Sequence, residues 1–233
     1  MHKFTFNGKS SSDFSTYISG SGTYDAPKRD VSTVEIPGRN GSLTIDNGRY
    51  ENIDLKYPAF IRSNFKANTD ALRAFMLRDS AYHRLEDDYH PEQFRMAKFV
   101  GPIEFDVKTL NRAGEFTLIF DCMPQRWLKS GETTVEFTAA GTLSNPTLYE
   151  AAPRIRVYGT SGVLIVGNLR IEITKISEYV DIDSDSQNAF KETLNCNQNI
   201  TTSKFPSLPP GETGISFEGD ITKVVITPRW WTI

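Results

Sequence analysis

The densest group of side chains that could do chemistry lies between residues 83 and 90. Two histidines, His83 and His90, stand there with three carboxylates. These residue types bind metals, but a two-histidine site on a helix needs its ligands four residues apart on one face. The histidines are seven apart, and Pro91 would break a helix. The sequence therefore disfavours a metal or catalytic site and predicts a turn whose charges face solvent or pair across subunits.

The chain has two cysteines, Cys122 and Cys196, which are too few for a disulfide framework and are predicted to be free thiols. Leu118 and Phe120 precede Cys122 at alternate positions, so the thiol is expected to be a small buried apolar group rather than a nucleophile. We find no nucleophile elbow, phosphate-binding loop or dinucleotide glycine pattern. The sequence predicts no enzyme and no cofactor.

Aromatic residues at the end of the chain could bind sugar rings by stacking. Adjacent residues of a strand point to opposite faces, so Trp230 and Trp231 cannot form one flat platform, and at least one is expected in the core. Glycan binding by the C-terminal domain stays open as the alternative function.

Composition and charge exclude further functions. Hydrophobic residues make up 38% of the chain and charged residues 24%, which is typical of folded proteins. A net charge of -3 gives no electrostatic reason to bind nucleic acid or an anionic membrane. The first residues lack the apolar stretch of a signal peptide, and the aliphatic run at residues 163–166 is too short to span a membrane. We expect the protein to fold in a cytoplasm.

The elements that position these residues are mostly short strands. A period of two dominates, and residues 7–8 and 46–48 are predicted to be turns between strands. One helix is predicted, with its cap at residues 68–70 and apolar positions recurring through residue 77. Residues 124–131 have no clean period, which places a domain boundary near residue 130. The many short strands beyond it predict a β-sandwich, with a rigid proline-rich connection at residues 205–211.

Several short segments, in their order and spacing, give the chain a family resemblance. It resembles the distal tail proteins of siphophages and related prophages of Gram-positive bacteria. The segments that carry the likeness are residues 4–14, 36–41, 46–50, 84–91, 124–127 and 228–231.

The resemblance implies a mainly β fold. Residues 1–130 would form a ring-forming β-sandwich domain with one helix and a β-arm, and residues 131–233 a galectin-like β-sandwich. It also implies a homo-hexameric ring, single or stacked, that joins the tail tube protein to the tail-tip protein in the virion tail. The galectin sugar-binding segments, His-x-Asn-Pro-Arg and Trp-Gly-x-Glu, do not occur after residue 130.

Two stretches are candidates for contacts between subunits. An arm that extends the sheet of a neighbour would use the stretch from about residue 103 to residue 120. The predicted inter-subunit contact consists of Arg84, Glu86, Asp87, Tyr89 and His90.

Overall fold

The structure is a computed structural model that describes residues 1–20, 24–108 and 113–233. It divides the chain into two compact units, Met1–Arg126 and Trp127–Thr232. Both consist mainly of antiparallel strands, so the predicted fold class is confirmed. The functional assignment of the halves, with 1–130 forming a ring, stays a prediction.

The first unit is built on one curled sheet. The sheet order is β2-β1-β7-β8-β10-β6-β3, and β9 pairs with β10. A backbone bridge joins Ile18, in the end strand β3, to His2, which lies two residues before β1 near the other end of the order, so the sheet curls around one hydrophobic cluster. The elements are β1 (Phe4–Phe6), β2 (Lys9–Ser10), β3 (Thr16–Ile18), β4 (Arg29–Glu35), β5 (Ser42–Tyr50), β6 (Ile53–Ile61), α1 (Phe65–Met76), β7 (His83–Asp87), β8 (Gln93–Lys98), β9 (Phe105–Lys108) and β10 (Ala113–Cys122), with a 3-10 turn at Ser11–Phe14.

The period of two in the sequence produces this core. Asn7 and Gly8 adopt positive φ angles of 47° and 75°, which confirms the predicted turn after β1. Strands β6 and β10 pair from Ile53 opposite Cys122 to Ile61 opposite Gly114. Alternate residues of both strands point inward and are almost completely buried.

The α-helix of the described residues begins earlier than predicted. It starts at Phe65, so the residues at 68–70 lie inside its first turns rather than capping it. Phe65, Thr69, Leu72 and Met76 are all buried, at spacings of four, three and four residues. Burial of Phe65 therefore extends the apolar stripe by one turn, and packing outweighs the local capping preference of the polar residues.

Three other predictions for this unit need correction. Residues 46–48 do not separate two strands, because they lie inside β5, where the pairing with β4 shifts register. The stretch from 103 to 120 is not an arm, since Phe116 and Leu118 are buried where β10 pairs with β6. Its residues 109–112 lie outside the described residues. The charged turn predicted at residues 83–90 begins as strand β7, and the chain turns only after Asp87.

The second unit is a β-sandwich, as predicted. A six-stranded sheet has the order β12-β22-β14-β17-β18-β19, and a five-stranded sheet has the order β13-β21-β15-β16-β20. Apolar residues of both sheets form one buried cluster. The strands are β11 (Arg126–Leu128), β12 (Val135–Phe137), β13 (Gly141–Asn145), β14 (Arg154–Tyr158), β15 (Gly162–Val166), β16 (Leu169–Ile173), β17 (Tyr179–Asp183), β18 (Asn188–Lys191), β19 (Leu194–Asn195), β20 (Ile200–Thr201), β21 (Gly211–Gly219), β22 (Lys223–Thr227) and β23 (Trp231–Thr232), with 3-10 turns at Lys129–Glu132 and Asn197–Asn199.

Candidate assembly surface

Strands β4 and β5 form a hairpin that pairs with no other strand in the described parts of the chain. Val34 lies opposite Leu43, and Ser32 lies opposite Ile45, so these four residues share one face. The three apolar members are 45% to 48% exposed. One side of the hairpin is therefore apolar and open to solvent.

The other side of the hairpin is largely polar. Thr33 lies opposite Thr44, and Glu35 opposite Ser42. An isolated two-stranded hairpin is marginally stable in water, and a contiguous exposed apolar surface commonly marks a binding site. This amphipathic hairpin, residues 29–50, is called the arm below.

Cross-strand ion pairs fix the root of the arm. Arg29 donates to both carboxylate oxygens of Asp46 at 2.8–3.1 Å, and Arg49 donates to Asp30 at 2.6 Å. The hydrogen bonds from Arg29 and from the backbone N–H of Gly48 lower the pKa of Asp46. Exposed pairs of this kind each contribute little to stability, so their main effect is to hold the register where the strand pairing shifts.

The five residues of the predicted inter-subunit contact lie on β7 and in the turn that follows it. Asp87 is committed within the subunit, because its carboxylate accepts hydrogen bonds from the Tyr57 hydroxyl and from the backbone N–H groups of Tyr89 and His90. Its side chain is only 10% exposed. Burial and the neighbouring Asp87 raise the pKa of Tyr57 well above its ordinary value. This carboxylate organises the turn.

The other four members of that set differ in their surroundings. The Tyr89 hydroxyl donates to the carbonyl of Gly20, and the Tyr89 ring lies 4.6 Å from that of His2. Arg84 pairs with Glu86 and places its guanidinium 3.8 Å from the ring centre of Phe94. The His90 ring lies at the same turn, 3.4 Å from Asp87. That these residues contact a neighbouring subunit stays a prediction.

The described part of the chain contains few side chains arranged to bind a metal or to react. No group of three or more histidine, cysteine or acidic side chains there could hold a metal ion. No described helix has the length and apolarity needed to cross a membrane. Cys122 and Cys196 are both free, as predicted, and the predicted burial of Cys122 is confirmed; Cys196 is buried as well. Burial raises the pKa of the Cys122 thiol to about 12. That thiol is a core group.

The aromatic pair near the chain end forms no sugar-stacking platform. Trp230 is buried, whereas Trp231 stacks on Tyr149 and donates its indole N–H to the Glu150 carbonyl. The second unit also contains a cleft of about 600 Å³ at the β15–β16 turn, but none of the described residues that line it is aromatic. These features give no particular support to the glycan-binding alternative.

The chain is similar to known proteins in its fold. No family model matches the chain, and no curated protein matches it significantly. The SPP1 Dit (gp 19.1) protein, described as a paradigm of the hub adsorption apparatus in phages that infect Gram-positive bacteria, matches over 100% of both chains with a TM-score of 0.78 and 12% sequence identity. This chain has the Dit fold.

A second solved structure agrees with that assignment. A chain of the phage P2 baseplate, in its activated conformation with Ca, matches over 97% of both chains with a TM-score of 0.53 and 8% identity. The predicted resemblance to distal tail proteins is thus confirmed at the level of the fold. The sequence does not reveal that the arm is exposed, because its apolar alternation is the same as that of the core strands.

Proposed function

We propose that this chain is a structural distal tail protein, whose copies form a ring hub between the tail tube and the tail-tip apparatus of a phage. The observation that carries the proposal is the Dit fold, since the likeness to a hub protein extends over the whole of both chains. The proposal contains no catalytic step and needs no cofactor.

The exposed apolar face of the arm offers a surface for self-association, which supports this function. A contact between two different surfaces, repeated around a rotation axis, closes into a ring. Nine residues of extended strand span about 30 Å, so β5 is long enough to reach another copy. Burial of Val34, Leu43 and Ile45 against a neighbour would remove their apolar surface from water. We infer a homo-hexamer, single or stacked in pairs, in the virion tail after assembly in the host cytoplasm.

The two halves of the chain would then have different roles. Residues 1–130, which include the arm, would form the ring, and residues 131–233 would be a galectin-like sandwich attached to it. The partners of the assembled ring would be the tail tube protein and the tail-tip protein. Arg84 and Glu86 on β7 would contribute a polar contact between subunits, together with Tyr89 and His90.

The experiment is light scattering combined with negative-stain microscopy on the purified full chain across a concentration series. Rings with a central hole are expected for the natural sequence. Leu43→Asp should leave the protein monomeric, because it places a charge on the apolar face of the arm. Thr44→Asp is the matched control, since it adds the same charge at the next residue, on the opposite face.

Two outcomes would count against the proposal. A natural protein that stays monomeric at all concentrations, alone and with tail tube protein, would contradict ring formation. Equal loss of assembly in both variants would contradict the specific role of the apolar face. Charge reversal of Arg84 to Glu tests the second contact in the same assay and should shift assembly to higher protein concentration.

A further inference from the structure

A group of charged residues lies on the outer face of the six-stranded sheet in the second unit. Asp181 on β17 accepts hydrogen bonds from Arg156 at 2.8 and 2.9 Å and from Arg154 at 2.8 Å. Both arginines lie on β14, two residues apart and therefore on the same face. The Asp181 side chain is 1% exposed, whereas the two arginine side chains are 39% and 36% exposed.

This group carries an excess positive charge. Neighbouring ion pairs match one cation with one carboxylate: Lys191 lies 2.8 Å from Glu178, which precedes β17, and Arg229, which follows β22, lies 2.7 Å from Asp183. Asp181, in contrast, neutralises only one of its two guanidinium groups. The group therefore has a formal charge of +1 beside the solvent.

Aromatic rings hold both guanidinium groups in position. Arg156 lies 4.3 Å from the ring centre of Tyr179, and Arg154 lies 5.3 Å from that of Phe190. Stacking and hydrogen bonding together restrict both side chains before any ligand arrives. Such preorganisation lowers the entropic cost of binding.

A cleft of about 250 Å³ opens at the two arginines. Three hydroxyl-bearing side chains also line it, those of Thr134, Tyr158 and Thr227. Val225 is the apolar member of the lining. Asp181 also lines the cleft, but its carboxylate is 1% exposed and is bound by the two arginines. The cleft thus combines two partly exposed guanidinium groups with hydroxyl groups, which can donate to oxygen atoms of an anion.

We propose that this cleft binds a phosphodiester group. The guanidinium fork matches phosphate oxygens, and a phosphodiester carries the single negative charge that the excess of +1 would balance. A carboxylate offers only two oxygens to this donor set, whereas a phosphodiester offers more acceptors and can leave its two substituents in the open cleft. The inference does not depend on ring formation.

The test is calorimetric titration of the full chain at low ionic strength with three probes: glycerophosphoglycerol, glycerol 3-phosphate and acetate. Glycerophosphoglycerol should bind most tightly of the three. Arg154→Gln should weaken the binding of glycerophosphoglycerol by about tenfold, because one charged donor is lost while Arg156 still holds Asp181. Arg170→Gln is the control, since Arg170 lies on the other sheet, 4.0 Å from Glu218, and should leave binding unchanged.

A thermal melt checks that each variant folds. If Arg154→Gln does not fold, Thr227→Val takes its place, because it removes one hydroxyl lining the cleft at nearly constant volume; it should weaken binding measurably. The proposal is overturned if glycerophosphoglycerol gives no saturable binding, if the cleft variants bind like the natural protein, or if acetate or the monoester binds equally tightly.

Discussion

Asp183 shows how single residues stabilise the second unit. Burial alone would raise its pKa, but hydrogen bonds from Arg229 and from the backbone N–H groups of Asp185 and Ser186 outweigh burial and lower it. Arg229 donates to both carboxylate oxygens at 2.7 and 2.8 Å from a left-handed backbone conformation with φ of 59°. The pair therefore fixes the chain just before the buried Trp230.

We predict that Asp183→Asn lowers the free energy of unfolding by about 2 kcal/mol at neutral pH, because it leaves Arg229 without its charged partner. The folded-state pKa of Asp183 lies below its unfolded value of about 3.9. The stabilisation is therefore complete above that unfolded pKa and disappears as the pH falls through the folded pKa.

Urea unfolding from neutral to acidic pH measures both effects, and the difference between natural protein and variant should shrink as the pH falls. Glu218→Gln is the control, since that carboxylate is 63% exposed and lies 4.0 Å from Arg170, so it should change stability by less than about 0.5 kcal/mol. A difference that persists at acidic pH would show that charge is not the cause.

Residue-level features differed in how far the sequence predicted them. Burial of Cys122 followed from its alternation with Leu118 and Phe120, which is a local pattern. The group of Asp181 with its two arginines did not follow from the sequence. Asp181 lies 25 residues from Arg156 along the chain, and the register between β14 and β17 brings the two together. Long-range register cannot be read from one sequence without knowledge of the pairing.

At the scale of elements, the arm is separable from the sheet that carries it. Its two strands pair with each other and with no other described strand, and Arg29 lies opposite Tyr50 at its root. Cross-strand partners have Cα atoms about 5 Å apart, a gap that a two-residue turn closes.

We predict that replacing residues 30–49 with Gly-Gly leaves the thermal midpoint within about 4 °C of the natural value, equivalent to at most about 1 kcal/mol. The same change should abolish ring assembly, because the apolar face is gone. Scanning calorimetry measures the thermal midpoint, and light scattering on the same sample measures ring assembly. Rings that form without the arm would transfer the assembly role to another surface, and a large fall in the midpoint would show that the arm supports the fold.

The bounds of strands, turns and helices could be predicted from the sequence where a local residue pattern determines them. They could not be predicted where tertiary packing determines them. Asn7 and Gly8 gave the first turn correctly, because both tolerate positive φ. The segment at residues 46–48 has similar composition, yet Gly48 adopts its φ of 74° inside a strand, where the pairing shifts, rather than between strands. Helix α1 begins at Phe65, earlier than the sequence predicted, because burial of Phe65 in the core extends the helix.

At the scale of the whole molecule, the mainly β fold followed from a period of two repeated along most of the chain, with one amphipathic helix as the exception. The location of the arm did not follow, since alternation shows that one face is apolar but not what covers it. Exposure of Val34, Leu43 and Ile45 becomes evident only in three dimensions.

Each unit has its own hydrophobic cluster, with Leu118 fully buried in the first and Leu164 in the second. Truncating either residue to Ala leaves a cavity, and we predict a loss of about 2–5 kcal/mol of local stability. Hydrogen exchange should then increase mainly in the strands around the substituted residue, β6 and β10 for Leu118→Ala and β15, β16 and β21 for Leu164→Ala, because the lost contacts are within one cluster. Leu148→Ala, at a side chain 88% exposed, is the control and should alter neither pattern. Equal deprotection of both units by either core variant would mean that the chain unfolds as a single cooperative body, and the division into two units would then describe geometry but not stability.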